Sequence, residues 1–343
     1  MAMRWKRALA LAAHRGGLLP AAGALFGGRR LTVLAYHRVA DPHAAGFDSY
    51  RRNVSATPAE FAAQMDYVAE HFHPVSLEQV EAALDGGPGL PRRPLLVTFD
   101  DGYRDNLTAA WPALQERGIP MTVFLATGFI GGGEGFPWDR AAWCFRHTAL
   151  RHATLPVVGE RSWAAAEERE AVLGAWLEAL KRLPDAAREE ALEALPGTLG
   201  VALPDDAFPN LCLTWGEVRE MAGAGVSFGA HTEQHPILTR VPPERARSEV
   251  RGSRRRLEDE LGTAVRTFAY PNGGRADVDE TTVRLLSEEG FRLGFTLLPG
   301  PERPSAARRS PLLLRRIYIH LGDYPARFAA KAHGVPRLLR AVR

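Results

Sequence analysis

Residues 95–105 read "LLVTFDDGYRD": a short apolar and β-branched run ends on two adjacent carboxylates, Asp100 and Asp101, and Gly102 follows. Such a run reads as a buried strand, and the glycine lets the chain turn away at once. Neighbouring side chains at a strand end point in different directions, so the two carboxylates can serve different partners. In parallel α/β folds these strand ends are where active sites gather. An Asp-Asp pair is also a common solvated turn or helix cap, so its meaning depends on what the rest of the chain supplies.

The rest of the chain supplies "HTEQHP" at residues 231–236, two histidines four apart, closed by Pro236. That spacing predicts both rings on one side of a helical turn, close enough to share an ion. With Asp101, His231 and His235 form a set of two imidazoles and one carboxylate with open positions. The set suits a divalent cation, zinc first, with cobalt or nickel as alternatives.

Around these segments, short apolar runs alternate with amphipathic patterns. The expected strands are "LTVLAY" (31–36), "LLVTF" (95–99), "MTVFLA" (121–126), "VSFGA" (226–230), "TFAY" (267–270), "RLGFT" (292–296) and "LLLRRIYI" (312–319). Helix starts are marked by capping boxes at Thr57/Glu60, Ser76/Gln79 and Thr214/Glu217, and a helix over about 278–289 ends at Gly290. Repeated strand-helix-strand order implies an α/β fold with parallel strands, as a barrel or a doubly wound sheet. Residues 131–206 break the rhythm. Their Ala-, Glu- and Leu-rich stretch predicts a helical hairpin broken at Pro184 and finished by Pro196 and Gly197, serving as a lid, a substrate wall or a packing element.

A strand ending T-F-D-D-G, then H-T-x-x-H-P, then a strand entering a Pro and Gly turn resembles, in that order, the polysaccharide deacetylases with a NodB homology domain, carbohydrate esterase family four. The resemblance covers about residues 31–321. It implies a distorted (β/α) barrel, here of about seven parallel strands with the helical insertion, and a hydrolase that removes N-acetyl groups from amino sugars of a surface polysaccharide or its lipid-linked precursor. Asp101, His231 and His235 would hold the metal and Asp100 would be the general base, with Pro236 ending the metal loop and Thr232 buttressing it.

The third motif departs from the family. "FAYPNGG" (268–274) has Ala269 where an arginine that orients the base is expected, followed by Tyr270, Pro271 and Asn272. Arg315 and Arg316 are the candidate replacements. The Asn272 N–H would stabilise the oxyanion, and Tyr270 and Trp138 are candidate substrate contacts. The family's late histidine motif is matched only weakly by His320. "LTVLAYHRVAD" (31–41) instead resembles the circularly permuted branch of exopolysaccharide deacetylases that act on poly-N-acetylglucosamine. His37 would then be the general acid, with Asp41 holding its tautomer and raising its pKa. Competing readings are a glycan-binding barrel with impaired catalysis, and a hydrolase of a non-sugar amide or an O-acetyl ester.

Charge is unevenly spread. Of 43 Lys and Arg, six fall in residues 1–30 with no acid, and ten in 303–343 with Asp323 alone, leaving 27 against 39 acids between them. The 1–30 segment reads as a basic, amphipathic leader too short in its apolar run for a good signal peptide, and 322–343 as a basic tail. Such ends fit peripheral contact with an anionic membrane or serve only solubility. No zinc-finger spacing or basic recognition helix points to nucleic acid. Two cysteines, Cys144 and Cys212, imply no disulfide framework. The expected compartment is the cytoplasm, with inner-membrane association, and the periplasm as the alternative.

Overall fold

The computed structural model describes residues 30–335. Seven strands carry the apolar runs: β1 Thr32–Tyr36, β2 Pro94–Asp101, β3 Met121–Leu125, β4 Ser227–Ala230, β5 Thr267–Ala269, β6 Leu293–Phe295 and β7 Ile317–Tyr318. All pair in parallel, in the order β6-β5-β4-β3-β2-β1-β7. Among the described residues nine helices have eight residues or more: α1 Pro58–His71, α2 Leu77–Leu84, α3 Pro137–His147, α4 Ala166–Leu180, α5 Asp185–Leu199, α6 Trp215–Gly223, α7 Pro243–Leu261, α8 Glu280–Glu288 and α9 Pro325–Ala332. The curled sheet and its surrounding helices make the distorted (β/α) barrel that the resemblance implied, one of the two layouts left open by the alternation.

Strand periodicity sorts the core into layers. Val33, Leu96, Phe124, Ala269, Phe295 and Leu314 fill the barrel interior, where Leu77, Val80 and Ala83 of α2 join them. The alternate residues Leu34, Tyr36, Val97, Phe99, Val123 and Leu125 face outward and pack beneath α1, α6 and α7. The capping boxes at Thr57, Ser76 and Thr214 all form, fixing where α1, α2 and α6 begin.

Three local expectations need correction. "LLLRRIYI" is not one strand: Pro311–Leu313 is a 3-10 turn and only Ile317–Tyr318 is extended in the sheet. The reason lies in what the segment joins. Leu314 bonds to Gly294 and Thr296 at β6, whereas Ile317 and Tyr318 pair with Leu34 and Ala35 of β1. A chain serving two strand edges in succession must change direction between them. The insertion, lying between β3 and β4, holds α3, α4 and α5 and also an exposed antiparallel hairpin, His152–Leu155 with Gly159–Ser162. Finally, α5 runs through Pro196 to Leu199, with Gly200 at φ 63° as its left-handed cap, because Leu195 and Leu199 anchor the last turn in the insertion's own core.

Residues 1–29 and 336–343, which include most of the basic leader and the end of the tail, lie outside the described residues. Among the described residues no helix is long and apolar enough to cross a membrane.

Candidate active site

The C-terminal ends of β1, β2, β4 and β5 deliver His37, Asp101, His231 and Asn272 to one cavity of ≈ 350 Å³. Asp101, His231 and His235 converge, with ligand atoms all within 4.8 Å of one another. The Nε2 atoms of His231 and His235 lie 3.6 and 3.5 Å from Asp101 Oδ1, too long for good hydrogen bonds. His231 Nδ1 is 2.6 Å from the Ala269 carbonyl. Because a carbonyl only accepts, the proton sits on Nδ1 and the Nε2 lone pair faces Asp101.

Both Asp101 oxygens are buried without a hydrogen-bond partner. Burial, followed by repulsion from Asp100 and Asp139, pushes its pKa well up, while burial pushes His231 down and His235 far down. Three electron-pair donors thus converge in a buried space, where Asp101 as a carboxylate has no hydrogen-bond donor to meet it. A divalent cation is what such a set fits, and the nitrogen and oxygen donors suit zinc or a neighbouring first-row ion.

The two histidines do not share a helical turn, contrary to the spacing argument. Residues 231–236 form a loop in which Thr232 and His235 take left-handed φ values of 67° and 56°. Thr127 N and Gly128 N donate to the Thr232 and Glu233 carbonyls at 3.0 Å each. The Thr232 hydroxyl donates to the His231 carbonyl. Gly128 is required here, since a Cβ would stand 2.8 Å from the Glu233 carbonyl oxygen. From α7, buried Glu249 accepts from Glu233 N and Gln234 N at 2.9 and 2.8 Å. Sequence reasoning missed this carboxylate. Its signal is a Glu set among the buried positions Ala246, Val250, Ser253 and Leu257 of one helix face. Of six non-glycine residues with positive φ among the described residues, Asp101, Thr232, His235 and Asn272 belong to the site, so backbone strain collects there.

Asp100 turns into the barrel instead. Arg316 meets it with two bonds, Nη1 to Oδ1 at 2.6 Å and Nη2 to Oδ2 at 2.7 Å, and also donates to Thr98 Oγ1 and the Thr296 carbonyl. Its guanidinium lies 5.5 Å from the Phe124 ring centroid. Burial alone would raise the Asp100 pKa, but Arg316 and the site histidines outweigh it and hold the carboxyl below its ordinary range. Arg315 plays no part: it is half-exposed, with its N–H on Glu302 and Nη1 on the Pro299 carbonyl.

His37 is brought to the site, with Nε2 4.0 Å from Asp101 Oδ2 and its ring edge-on to Tyr318. Its Nδ1 is buried without a partner. Burial, opposed by Asp100, lowers its pKa to about 4. Asp41 does not reach it, which corrects the expected pairing. Asp41 is exposed and accepts from His43 N two residues on, so a local turn has claimed it. Tyr270 is likewise not a substrate contact: it is buried in the outer core with its hydroxyl on the Leu312 carbonyl. His320 is exposed and packs on Tyr318 outside the cavity. Asn272 lines the cavity, and its N–H donates to no acceptor among the described residues.

Trp138 also lines the cavity, with its ring stacked on Phe136 and its centroid 4.8 Å from that of His235 in an edge-to-face pair. Its Nε1 donates to Tyr103 Oη at 2.6 Å, and that hydroxyl donates to Asp139 Oδ2 at 2.8 Å. Asp139 accepts from Tyr50 N as well, and burial lifts its pKa to about 6. The opposite wall comes from the insertion, through Leu177, Leu180, Lys181, Arg188 and Leu192.

A model of the polysaccharide deacetylase family matches residues 88–294. The YxkH protein of Bacillus subtilis strain 168 is 20% identical over 272 residues, 79% of this chain and 66% of that protein. The poly-beta-1,6-N-acetyl-D-glucosamine N-deacetylase of Escherichia coli K12 is 32% identical over 84 residues, 24% of this chain and 12% of that one. The chain thus spans about two thirds of one curated relative and far less of the other. Among solved structures, the Streptococcus pyogenes deacetylase PplD in complex with acetate shares the fold, with a TM-score of 0.58 at 19% identity over 88% of this chain and 98% of that one.

Proposed function

The chain belongs to the polysaccharide deacetylase family, and on that premise we propose that it removes N-acetyl groups from amino sugars of a surface polysaccharide or its lipid-linked precursor. One observation carries the reading: a single strand end presents an uncompensated buried carboxylate, Asp101, facing two imidazoles, and beside it a fully compensated one, Asp100. A pure binding protein has no need of the second. The Escherichia coli relative, named for a poly-N-acetylglucosamine substrate, supports the sugar class.

Asp101, His231 and His235 would hold a divalent cation, zinc in this proposal. Such an ion polarises a carbonyl oxygen and makes water more acidic. Asp100 is the base that takes the proton from the attacking water, since each of its oxygens keeps a lone pair beyond its bond to Arg316. Arg316 fixes the direction of that carboxylate and keeps it ionised. The free N–H of Asn272 steadies the carbonyl oxygen as it gains charge. His37 passes a proton to the departing amine. Its resting imidazole is neutral, with a pKa of about 4, so it first takes up the proton that Asp100 has removed from water, and that proton ends on the amine nitrogen as the carbon–nitrogen bond breaks. Trp138, which lines the cavity beside His235, supplies an aromatic contact to the sugar.

The proposed place of work is the cytoplasm, with the basic ends against the inner membrane; recovery of a processed, periplasmic protein on fractionation would overturn that part. The function is tested by elemental analysis and by acetate release from N-acetylglucosamine oligosaccharides. About one transition-metal ion per chain is expected, lost in Asp101→Ala and His235→Ala, with acetate release lost in Asp100→Asn while the metal stays. Failure of the zinc-, cobalt- and nickel-loaded protein to release acetate from any acetylated amino sugar would favour a glycan-binding barrel.

A further inference from the structure

The cavity lining carries four carboxylates, Asp100, Asp101, Glu178 and Asp277, and two cations, Lys181 and Arg188, which differ in how far each is committed to a partner. Asp100 is taken up by Arg316, and Asp101 faces the two imidazoles, where a bound cation would take its charge. Asp277 accepts from Gly274 N and stands 3.6 Å from Arg240 Nη2. On the facing wall, Lys181 at the end of α4 and Arg188 in the first turn of α5 are far less committed. Among the described residues Lys181 bonds Glu178, which lines the cavity too, 2.7 Å away in an exposed pair, and such pairs contribute little.

Arg188 has one hydrogen bond, from Nη2 to Asp185 Oδ1 at 2.6 Å, and Asp185 is shared with Arg245. Its Nε is buried with no partner. A guanidinium offers five N–H donors, so most of this one is unused in a setting where unmet donors are costly. Burial lowers the Arg188 pKa in spite of Asp185. Arg188 and Lys181 line the same cavity as His37 and His235. Leu177, Leu180 and Leu192 line the same wall and keep it apolar, which strengthens any ion pair formed there.

Building on the deacetylase reading above, we infer that the acetamido sugar this protein takes carries an anionic substituent, a phosphate or a carboxylate, bound by Arg188 and Lys181 of the insertion. Arg188 supplies the forked donor geometry that either oxyanion matches, and Lys181 adds a mobile point charge. The insertion thereby selects charged substrates, while the barrel end performs chemistry common to any acetamide.

The test compares binding of three probes to the full-length chain by calorimetry: N-acetylglucosamine, N-acetylglucosamine 1-phosphate, and a disaccharide of N-acetylglucosamine and glucuronate. Acetate release is followed on the same three. At least one anionic probe is expected to bind ~10-fold or more tightly than the neutral sugar, with Arg188→Gln bringing that ratio close to one and Arg188→Lys keeping most of it. Preference for the phosphate alone identifies a sugar-phosphate precursor, and preference for the uronate alone an acidic polymer. Equal affinity for all three overturns the inference. So does an equal loss of neutral and anionic binding in Arg188→Gln, which would make Arg188 a support for α5. Preferential binding with no acetate release would leave the anion site standing and remove the deacetylase reading.

Discussion

Arg316 and Asp100, 216 positions apart in the chain, meet through two parallel bonds of 2.6 and 2.7 Å with both side chains buried. The pair replaces, from the barrel's closing segment, an arginine that the third motif lacks at Ala269. Lysine keeps the charge but not the fork. Arg316→Lys should therefore lower kcat/KM about 100-fold through misdirection of Asp100, with metal content unchanged. Full activity in that variant would sink the positioning role.

Asp101 should make the metal-free protein less stable. Its folded pKa lies above the unfolded value, so the folded state holds the proton more tightly, and stability falls as pH rises from the ordinary carboxylate range through the raised pKa. Asp101→Asn should remove that slope and raise the melting temperature of chelator-treated protein near neutral pH. Added zinc should stabilise the wild type by about 2.7 kcal/mol at a hundred times Kd, and the variant hardly at all. Melting curves at two pH values, with and without zinc, decide it; a variant still stabilised by zinc would refute the ligand assignment.

Glu249 touches no substrate and no metal ligand directly, yet it ties down the two N–H groups between the histidines. Glu249→Ala should weaken metal affinity ~10- to 100-fold, as loss of an outer support does. Competition with a chelator measures this. Unchanged affinity would mean that the bonds from Thr127 and Gly128 suffice to hold the loop.

Tyr103 couples Trp138 to Asp139. Tyr103→Phe leaves a buried donor and a buried acceptor unmet and should cost about 1–3 kcal/mol of stability. It should also raise KM more than it lowers kcat, because it loosens a wall of the cavity and spares Asp100. A selective fall in kcat would contradict this.

Asp41 separates the local expectation from the folded geometry. Exposed and bonded to His43 N, it should be replaceable by alanine within about 0.5 kcal/mol of stability and without change in the pH dependence of acetate release. A shifted profile would restore its proposed link to His37.

Much of this protein is written in short stretches. Apolar runs of four to eight residues located the strands, capping boxes located α1, α2 and α6, and "TFDDG" and "HTEQHP" marked residues that meet at one cavity. These signals are legible because their physics is local: burial periodicity, a cap's reach of three residues, a glycine's freedom at a strand end.

Other features had no local signature. Arg315 and Arg316 sit in an apolar run whose two faces look alike, so alternation could not say which arginine turns inward. Tyr270 and Asp41 carried suitable chemistry but found partners elsewhere, in the Leu312 carbonyl and the His43 N–H. The histidine spacing was read as a helical turn, whereas left-handed residues and bonds from Thr127, Gly128 and Glu249 shape the loop.

By itself, then, the sequence determined the alternating architecture, the family and the residue types offered at each strand end, since these follow from patterns a few residues long. Which arginine orients Asp100, what supports the metal loop and what forms the cavity's far wall were decided only by tertiary structure. Those contacts join β2 to the barrel's closing segment, the β4 loop to α7, and the strand ends to the insertion. Barrel closure and burial select among chemically equivalent side chains only once segments far apart in sequence have been brought into contact.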